Sequence, residues 1–354
     1  MKKKVITAMV CYSTYFAAMA CTGISITTGD GTMLQSRTIE GAQMELPSYY
    51  VVIPRNQELQ SFTPTAKNGM KFRAKYGAVG LSVVRPEFIA EGLNEVGLSS
   101  GLFFFPGYGA YSDYDPAKAS VTIGDLHLNQ WILTQCASVA EVIEKISSIK
   151  VVGLDKTAVV HYRIADTTGR EVVLEFVNGE APFYENTVGV LTNSPGFLWH
   201  LTNLNNYVNL KSGDAAEQHL KNTLLKPFGG NSGMLGLPGD FTPPSRFIRA
   251  AFFRNTAPKV TTAKEGIMQC FHLLNNFDIP IGVEHEFGQA PKMPSATQWT
   301  VVSDLTHRKI YYHTMYNNHI REIDLNTIDF KTVRYQSQEL DMIKEQPIEK
   351  IIIP

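Results

Sequence analysis

Cys21 follows Ala18-Met19-Ala20, the small-x-small ending of a segment that begins with Lys2, Lys3 and Lys4 and is mostly apolar from Val5 to Phe16. That order is the layout of a secretory signal peptide cleaved after Ala20. The apolar part is too short for a spanning helix, which takes about 20 residues. Cleavage there makes Cys21 the first residue of the mature chain, with a thiol and a free α-amine on one residue. A thiol attacks as the thiolate and titrates near about 8.5, while an α-amine titrates near about 8, so the amine can take the thiol's proton close to neutrality. One residue then supplies both nucleophile and base, the logic of amino-terminal nucleophile catalysis. Two other readings compete for the segment: a buried N-terminal helix, and a lipoprotein signal in which lipidation removes Cys21 as a nucleophile. The second lacks the leucine usual three residues before such a cysteine.

The residues that must hold this terminus follow it closely. Residues 21–28 alternate like a strand, Gly29-Asp30-Gly31 is a turn signal, and residues 32–40 return. A two-residue loop sets Cys21 opposite Glu40; a three-residue loop sets it opposite Ile39, with Arg37 diagonal on the same face. Either register brings Arg37 and Glu40 near Cys21. A guanidinium favours the thiolate, and a carboxylate can orient the α-ammonium. Other chemistry finds little support. None of the nine histidines has the spacing of a metal-binding helix, and residues 229–236 (GGNSGMLG) lack both the lysine of a phosphate loop and the last glycine of a nucleophile elbow.

The chain has 354 residues, 44% hydrophobic and 18% charged, the composition of a globular protein with a sizeable core. Loss of residues 1–20 takes three lysines and no acid, moving the formal net charge from −1 to −4. Neither value points to nucleic acid or an anionic membrane as a partner. Cys11 leaves with the leader; Cys21, Cys136 and Cys270 remain, and a Cys136–Cys270 disulfide or two buried thiols are both open. Strand patterns cover 49–55, 79–86, 88–105, 157–179, 188–196, 297–305, 308–315 and 319–325, the 88–105 run turning at Asn94–Gly97 and the 188–196 run ending in a turn. Helical spacing covers 122–135 and 138–149, each with a cap-like residue at the front (Thr122 and Ser138), 243–256, which starts on proline, and 261–277. Strands at both ends, helices in the middle and no strict βαβ alternation predict an α+β layered fold with antiparallel sheets, and one domain from 21 to 354.

Five blocks carry a resemblance: 21–40, 92–98 (GLNEVGL), 191–207 (LTNSPGFLWHLTNLNNY), 236–249 (GLPGDFTPPSRFIR) and 273–282 (LLNNFDIPIG). Their content and order resemble the choloylglycine hydrolases, which comprise conjugated bile acid hydrolases and penicillin V acylases. The resemblance implies a four-layer αββα sandwich, often tetrameric, with no metal or cofactor. It implies Cys21 as nucleophile, Arg37 beside it, and Glu40 where aspartate is usual. It also implies Asn193 as the side-chain donor of the oxyanion hole, the Phe104 N–H as the second donor, and Arg246 in the polar cluster. Phe103, Phe105, Phe197 and Trp199 are expected around an apolar acyl group. The implied substrates are glycine or taurine conjugates of bile acids, with penicillin V or an N-acyl-homoserine lactone as the alternative. A non-catalytic exported lipoprotein on the same scaffold is the alternative of another class.

Overall fold

The computed structural model describes residues 20–41, 45–155, 158–285, 288, 290 and 296–353. The leader expected over residues 1–20 and Cys11 lie outside the described residues, apart from Ala20.

The hairpin at Cys21 takes the three-residue loop. Strand β1 (Cys21–Thr27) pairs with β2 (Met33–Gly41) so that Cys21 faces Ile39 and Gly23 faces Arg37. Thr28 N–H donates to Thr32 C=O at 3.0 Å, closing Gly29-Asp30-Gly31, and Gly31 has φ +85°, a conformation glycine adopts without strain. The Asp30 carboxylate accepts the Thr28 hydroxyl, the Thr32 N–H (3.1 Å) and the Thr32 hydroxyl (2.8 Å). Asp30 thus fixes the loop, and with it which side chains share the Cys21 face.

β2 is buried along its whole length because it is central and covered on both faces. It pairs on its other side with Ala296–Asp304, and Lys309–Thr314 and Asn317–Asp324 follow outward. The short strand Val190–Leu191 flanks β1, which completes an antiparallel six-stranded sheet. A second, eight-stranded antiparallel sheet runs in the order 183–185, 171–174, 160–165, 99–104, 89–94, 78–83, 48–53, 336–339. The two sheets face each other: Arg37 reaches from β2 to the carbonyls of Ala90 and Leu102 in the eight-stranded sheet.

Helices cover the outer faces. Helix α1 (Asp125–Gln135) lies on the eight-stranded sheet, where Asn129 donates to Ile89 C=O and Asn94 donates to Leu133 C=O, both at 2.9 Å. Thr122, expected to cap this helix, instead begins a short parallel bridge to 150–152, and the cap position is Gly124. Helix α2 (Val139–Lys145) starts where expected, its Glu141 N–H held by the Ser138 hydroxyl at 3.2 Å. Helix α3 (Phe197–Asn203) follows Gly196, in a stretch that the sequence pattern did not mark as helical. Helix α4 (Pro243–Thr256) and helix α5 (Ala263–Leu274) lie on the six-stranded sheet; Arg254 of α4 donates to Ser25 C=O at 2.8 Å, and α5 packs Ile267, Cys270 and Phe271 on Leu34 and Val302. The layers are therefore αββα, as expected. Cys136 and Cys270 are both buried free thiols, so the disulfide is not formed. Among the described residues, no helix is long and apolar enough to cross a membrane.

Candidate active site

Cys21 is fully buried with Ala20 still attached. Its side chain points between the sheets, the face it shares with Arg37 by register. Arg37 Nη2 lies 2.7 Å from Cys21 Sγ. The same guanidinium donates to the carbonyls of Ala90 (3.0 Å), Leu102 and Thr38 (Nε, 3.1 Å), and its carbon sits 4.2 Å from the centre of the Phe103 ring. The Leu102 carbonyl is available because the ladder between 89–94 and 99–104 ends at Glu91–Gly101. Two residues on, the Phe104 N–H is directed at the Cys21 sulfur.

Burial pushes the Cys21 thiol above its ordinary value. Arg37 opposes that most strongly, Glu40 adds to it, and the Phe104 N–H and Arg246 also favour the thiolate. Sulfur and positive charge thus meet in a buried site, where an electrostatic contact is stronger than in water, with burial still the larger effect on the thiol.

The nitrogen of Cys21, here a peptide N–H, donates to Asn193 Oδ1 at 3.0 Å. Arg246 Nη2 meets the same oxygen at 2.6 Å, and Asn193 Nδ2 donates to Phe104 C=O at 2.8 Å. Arginine can only donate, so these contacts fix the orientation of the amide. Arg246 comes from the first turn of α4. It also donates to Cys21 C=O, to the Thr22 hydroxyl at 2.9 Å and to Phe241 C=O at 2.8 Å. The α4 start is held by Asp240, which accepts the Thr242 N–H (2.9 Å) and the Ser245 hydroxyl (2.7 Å).

Glu40 lies on the opposite face of β2 from Arg37. Its backbone N–H donates to Ala20 C=O at 3.0 Å, and its carboxyl accepts the Thr297 hydroxyl at 3.3 Å. Burial pushes its pKa up to about 8, with Arg246 acting against the rise and Glu284 adding to it.

A cavity of about 200 Å³ opens on this cluster, lined by Ala20, Phe104, Pro106, Asn193, Ser194, Phe241, Pro243, Arg246 and Glu284. The structure thus gathers Cys21, Arg37, Glu40, Asn193, Phe104 and Arg246. Of the aromatic residues expected around a substrate, Phe103, Phe105 and Phe197 are fully buried and none lines this cavity. Phe103 packs on Arg37, Phe105 stacks on His161 at 4.4 Å, and Phe197 contacts Phe247 at 6.3 Å. Trp199 stands half-exposed on α3 and is also absent from the cavity lining. The apolar walls are Phe104, Pro106, Phe241 and Pro243.

Two buried histidines, not singled out in the sequence, hold the segment that carries Asn193. His161 Nε2 meets Thr192 C=O at 3.1 Å and its Nδ1 meets Glu175 at 3.2 Å; His200 Nε2 meets Asn193 C=O at 2.9 Å. Burial lowers His200 to about 4, so it is a neutral donor. No spacing announces these partners, since 161, 175, 192 and 200 come together only through the sheet and α3.

The comparisons with known proteins agree with this geometry. The family model for linear amide C–N hydrolases of the choloylglycine hydrolase family matches residues 21–341. The chain is 33% identical over 314 residues to the bile salt hydrolase/transferase of Clostridium perfringens, covering 86% of this chain and 92% of that one. It is 32% identical over 244 residues to the bile salt hydrolase/transferase of Lactiplantibacillus plantarum, covering 67% and 72%. The fold superimposes on a mutant of the conjugated bile acid hydrolase from Clostridium perfringens with a TM-score of 0.83 at 30% identity, over 94% of this chain and 100% of that one. It superimposes on the penicillin V acylase from Agrobacterium tumefaciens with a TM-score of 0.72 at 22% identity, over 91% of each, a likeness of fold. Matched over nearly all its length beyond residue 20, the chain belongs to the choloylglycine hydrolase family and is a linear amide C–N hydrolase.

Proposed function

We propose that this enzyme hydrolyses the amide bond of glycine- or taurine-conjugated bile acids, with Cys21 as an amino-terminal nucleophile after removal of residues 1–20. The observation that carries this is the convergence on one residue: Cys21 Sγ on Arg37 and Cys21 N on Asn193, at the edge of a cavity with apolar walls. The thiolate attacks the carbonyl, its proton having passed to the α-amine. The Phe104 N–H and the second N–H of Asn193 Nδ2 receive the developing oxyanion; such a donor is worth about 2.7–4 kcal/mol in related acyl transfer. The α-ammonium, held by Asn193, gives its proton to the leaving amine. Water then attacks the thioester carbonyl and frees the acid and the thiol. The substrate assignment draws on the names of the two relatives above 30% identity, both bile salt hydrolase/transferases.

Export with cleavage between Ala20 and Cys21 belongs to the same proposal. The lysine head, the apolar run and the small-x-small ending at Ala20 support it. The mature chain is then one domain from 21 to 354 and, as the resemblance implies, a homotetramer without metal or cofactor.

The test is to purify the processed enzyme, determine its N-terminal residue by intact mass, and assay glycocholate, taurocholate and penicillin V side by side. An unmodified Cys21 terminus with release of glycine or taurine is the expected result. A lipidated or unprocessed terminus, or turnover of penicillin V alone, overturns the proposal.

A further inference from the structure

A buried pair of charges lies next to this site and has no place in the reaction as described. Arg163 and Glu91 are almost wholly inaccessible, one in each of two strands of the eight-stranded sheet, with Arg163 Nη2 3.8 Å from Glu91 Oε2. Both strands of the Cys21 hairpin are bound by Arg163: its Nη1 donates to Ile24 C=O of β1 at 3.0 Å and to Ser36 C=O of β2 at 3.1 Å. Its guanidinium also shares the Phe103 ring with Arg37, at 5.4 Å and 4.2 Å from the centroid. Glu91 follows Ala90 and pairs with Gly101, the neighbour of Leu102; Ala90 and Leu102 supply the carbonyls that anchor Arg37.

The fold makes room for the pair on both sheets. A Cβ on Gly101 would lie 2.1 Å from Glu91 Oε2, and a Cβ on Gly23 would lie 2.7 Å from Arg163 Nη1. A buried ion pair is a weak source of stability, and hydrophobic residues of similar volume often do as well or better. Its cost here is spent on two things that hydrophobic side chains do not provide: donors for the hairpin carbonyls, and a negative charge beside two guanidinium groups.

We propose that Glu91 and Arg163 are positioning residues for Cys21: Arg163 fixes the hairpin against the second sheet, and Glu91 balances Arg37 and Arg163 and so sets how strongly Cys21 holds its proton. This rests on the reading of Cys21 as the nucleophile. Burial raises the Glu91 carboxyl above its ordinary value and Glu171 adds to this, while Arg163, Arg37 and the Ser99 hydroxyl favour its charged form; the charged groups facing Cys21 are Arg37 and Glu40 from β2 and Arg246 from α4.

The experiment measures the rate of Cys21 alkylation by iodoacetamide against pH in the processed enzyme, read by peptide mass spectrometry. This reports the thiolate whatever the substrate is. Glu91→Gln keeps the shape and removes the negative charge, so the alkylation profile should move to lower pH by about half a unit or more. Arg163→Gln should move it the other way, and Glu91→Asp should leave it near the wild type. If Glu91→Gln does not fold, Arg163→Gln carries the same test with the opposite sign. Lowered thermal stability with an unmoved alkylation profile in the folded variants overturns the proposal and leaves the pair a structural strut. Retained hydrolysis after complete alkylation of wild-type Cys21 would instead overturn the nucleophile assignment, so the two failures are distinguishable.

Discussion

Arg37 holds the sulfur of Cys21 at 2.7 Å with one guanidinium nitrogen and uses the others on backbone carbonyls of both sheets. The thiol is therefore placed by a cation that cannot move without breaking three other bonds. Cys21→Ser keeps the space but replaces the sulfur with a hydroxyl that Arg37 cannot ionise, so turnover of any amide substrate should fall at least about 1,000-fold with little change in melting temperature. Arg37→Lys presents one compact ammonium where a planar fork is needed. It should slow turnover by about 10- to 100-fold and raise the pH at which Cys21 is alkylated. Wild-type rates in either variant would contradict this arrangement.

Asn193 separates acceptance from donation. Its Oδ1 takes the Cys21 N–H and Arg246, and its Nδ2 faces Phe104 C=O and the cavity. Asn193→Asp keeps the acceptor for Arg246 and the terminal nitrogen but has no N–H for an oxyanion. Its kcat should fall by about 100- to 1,000-fold, the loss typical of one oxyanion donor. Asn193→Ala should show a similar kinetic loss and, because Arg246 loses its buried acceptor, a further destabilisation of about 1–3 kcal/mol in urea titrations. Equal stability losses in the two variants would refute the division of roles.

Much of this was legible in the sequence because it is local. The hairpin and the spacing from Cys21 to Arg37 and Glu40 all lie within residues 21–40, and strand alternation sets the face each side chain takes. The register was open because both loop lengths suit Gly29-Asp30-Gly31. It is decided by Asp30, whose carboxylate gathers Thr28 and Thr32, and no alternation pattern encodes that contact. Phe103 and Phe105 were expected as walls for an apolar acyl group, with plain core as the other reading of the same aromatic run. Strand alternation instead turns them into the space between the sheets, where Arg37 and His161 cover them. The Thr122 cap failed for a tertiary reason, since pairing with Lys150 holds that residue in an extended conformation.

His200 is the link between α3 and Asn193. It stacks on Phe247 with ring centres 4.5 Å apart and donates to Asn193 C=O at 2.9 Å. His200→Phe keeps the stack and deletes the bond, leaving a buried carbonyl without its donor. Stability should fall by about 1–3 kcal/mol, and kcat should fall by about 10-fold as Asn193 loses its fixed position. His200→Gln, which can donate to the same carbonyl, should recover part of the kcat. A kcat equal to wild type in His200→Phe would show that Asn193 is held by its other contacts alone.

Buried titratable groups pull stability in opposite directions with pH. Burial lowers His127 to about 3 and His200 to about 4, from an ordinary 6.5. Between those values the unfolded chain binds protons that the folded chain refuses, so both histidines cost stability as pH falls through that window. Burial raises Asp125 to about 7, from 3.8, and Glu40 to about 8 in the chain that retains Ala20, from 4.5. There the folded chain keeps protons that the unfolded chain releases, so their contribution is full below the ordinary values and is lost as pH rises toward 7 and 8. The two sets overlap and partly cancel between about pH 4.5 and 6.5, and that is where the unprocessed chain should melt highest, with stability declining on both sides by about 1.4 kcal/mol per group per pH unit at most. His127 offers a clean check. It packs between Phe62 and Phe88, with ring centres 5.0 and 5.5 Å away, and neither ring nitrogen has a hydrogen-bond partner among the described residues. His127→Leu should therefore raise the melting temperature at pH 4 by more than at pH 7, and an equal change at the two pH values would refute the assignment of the acid limb to this residue.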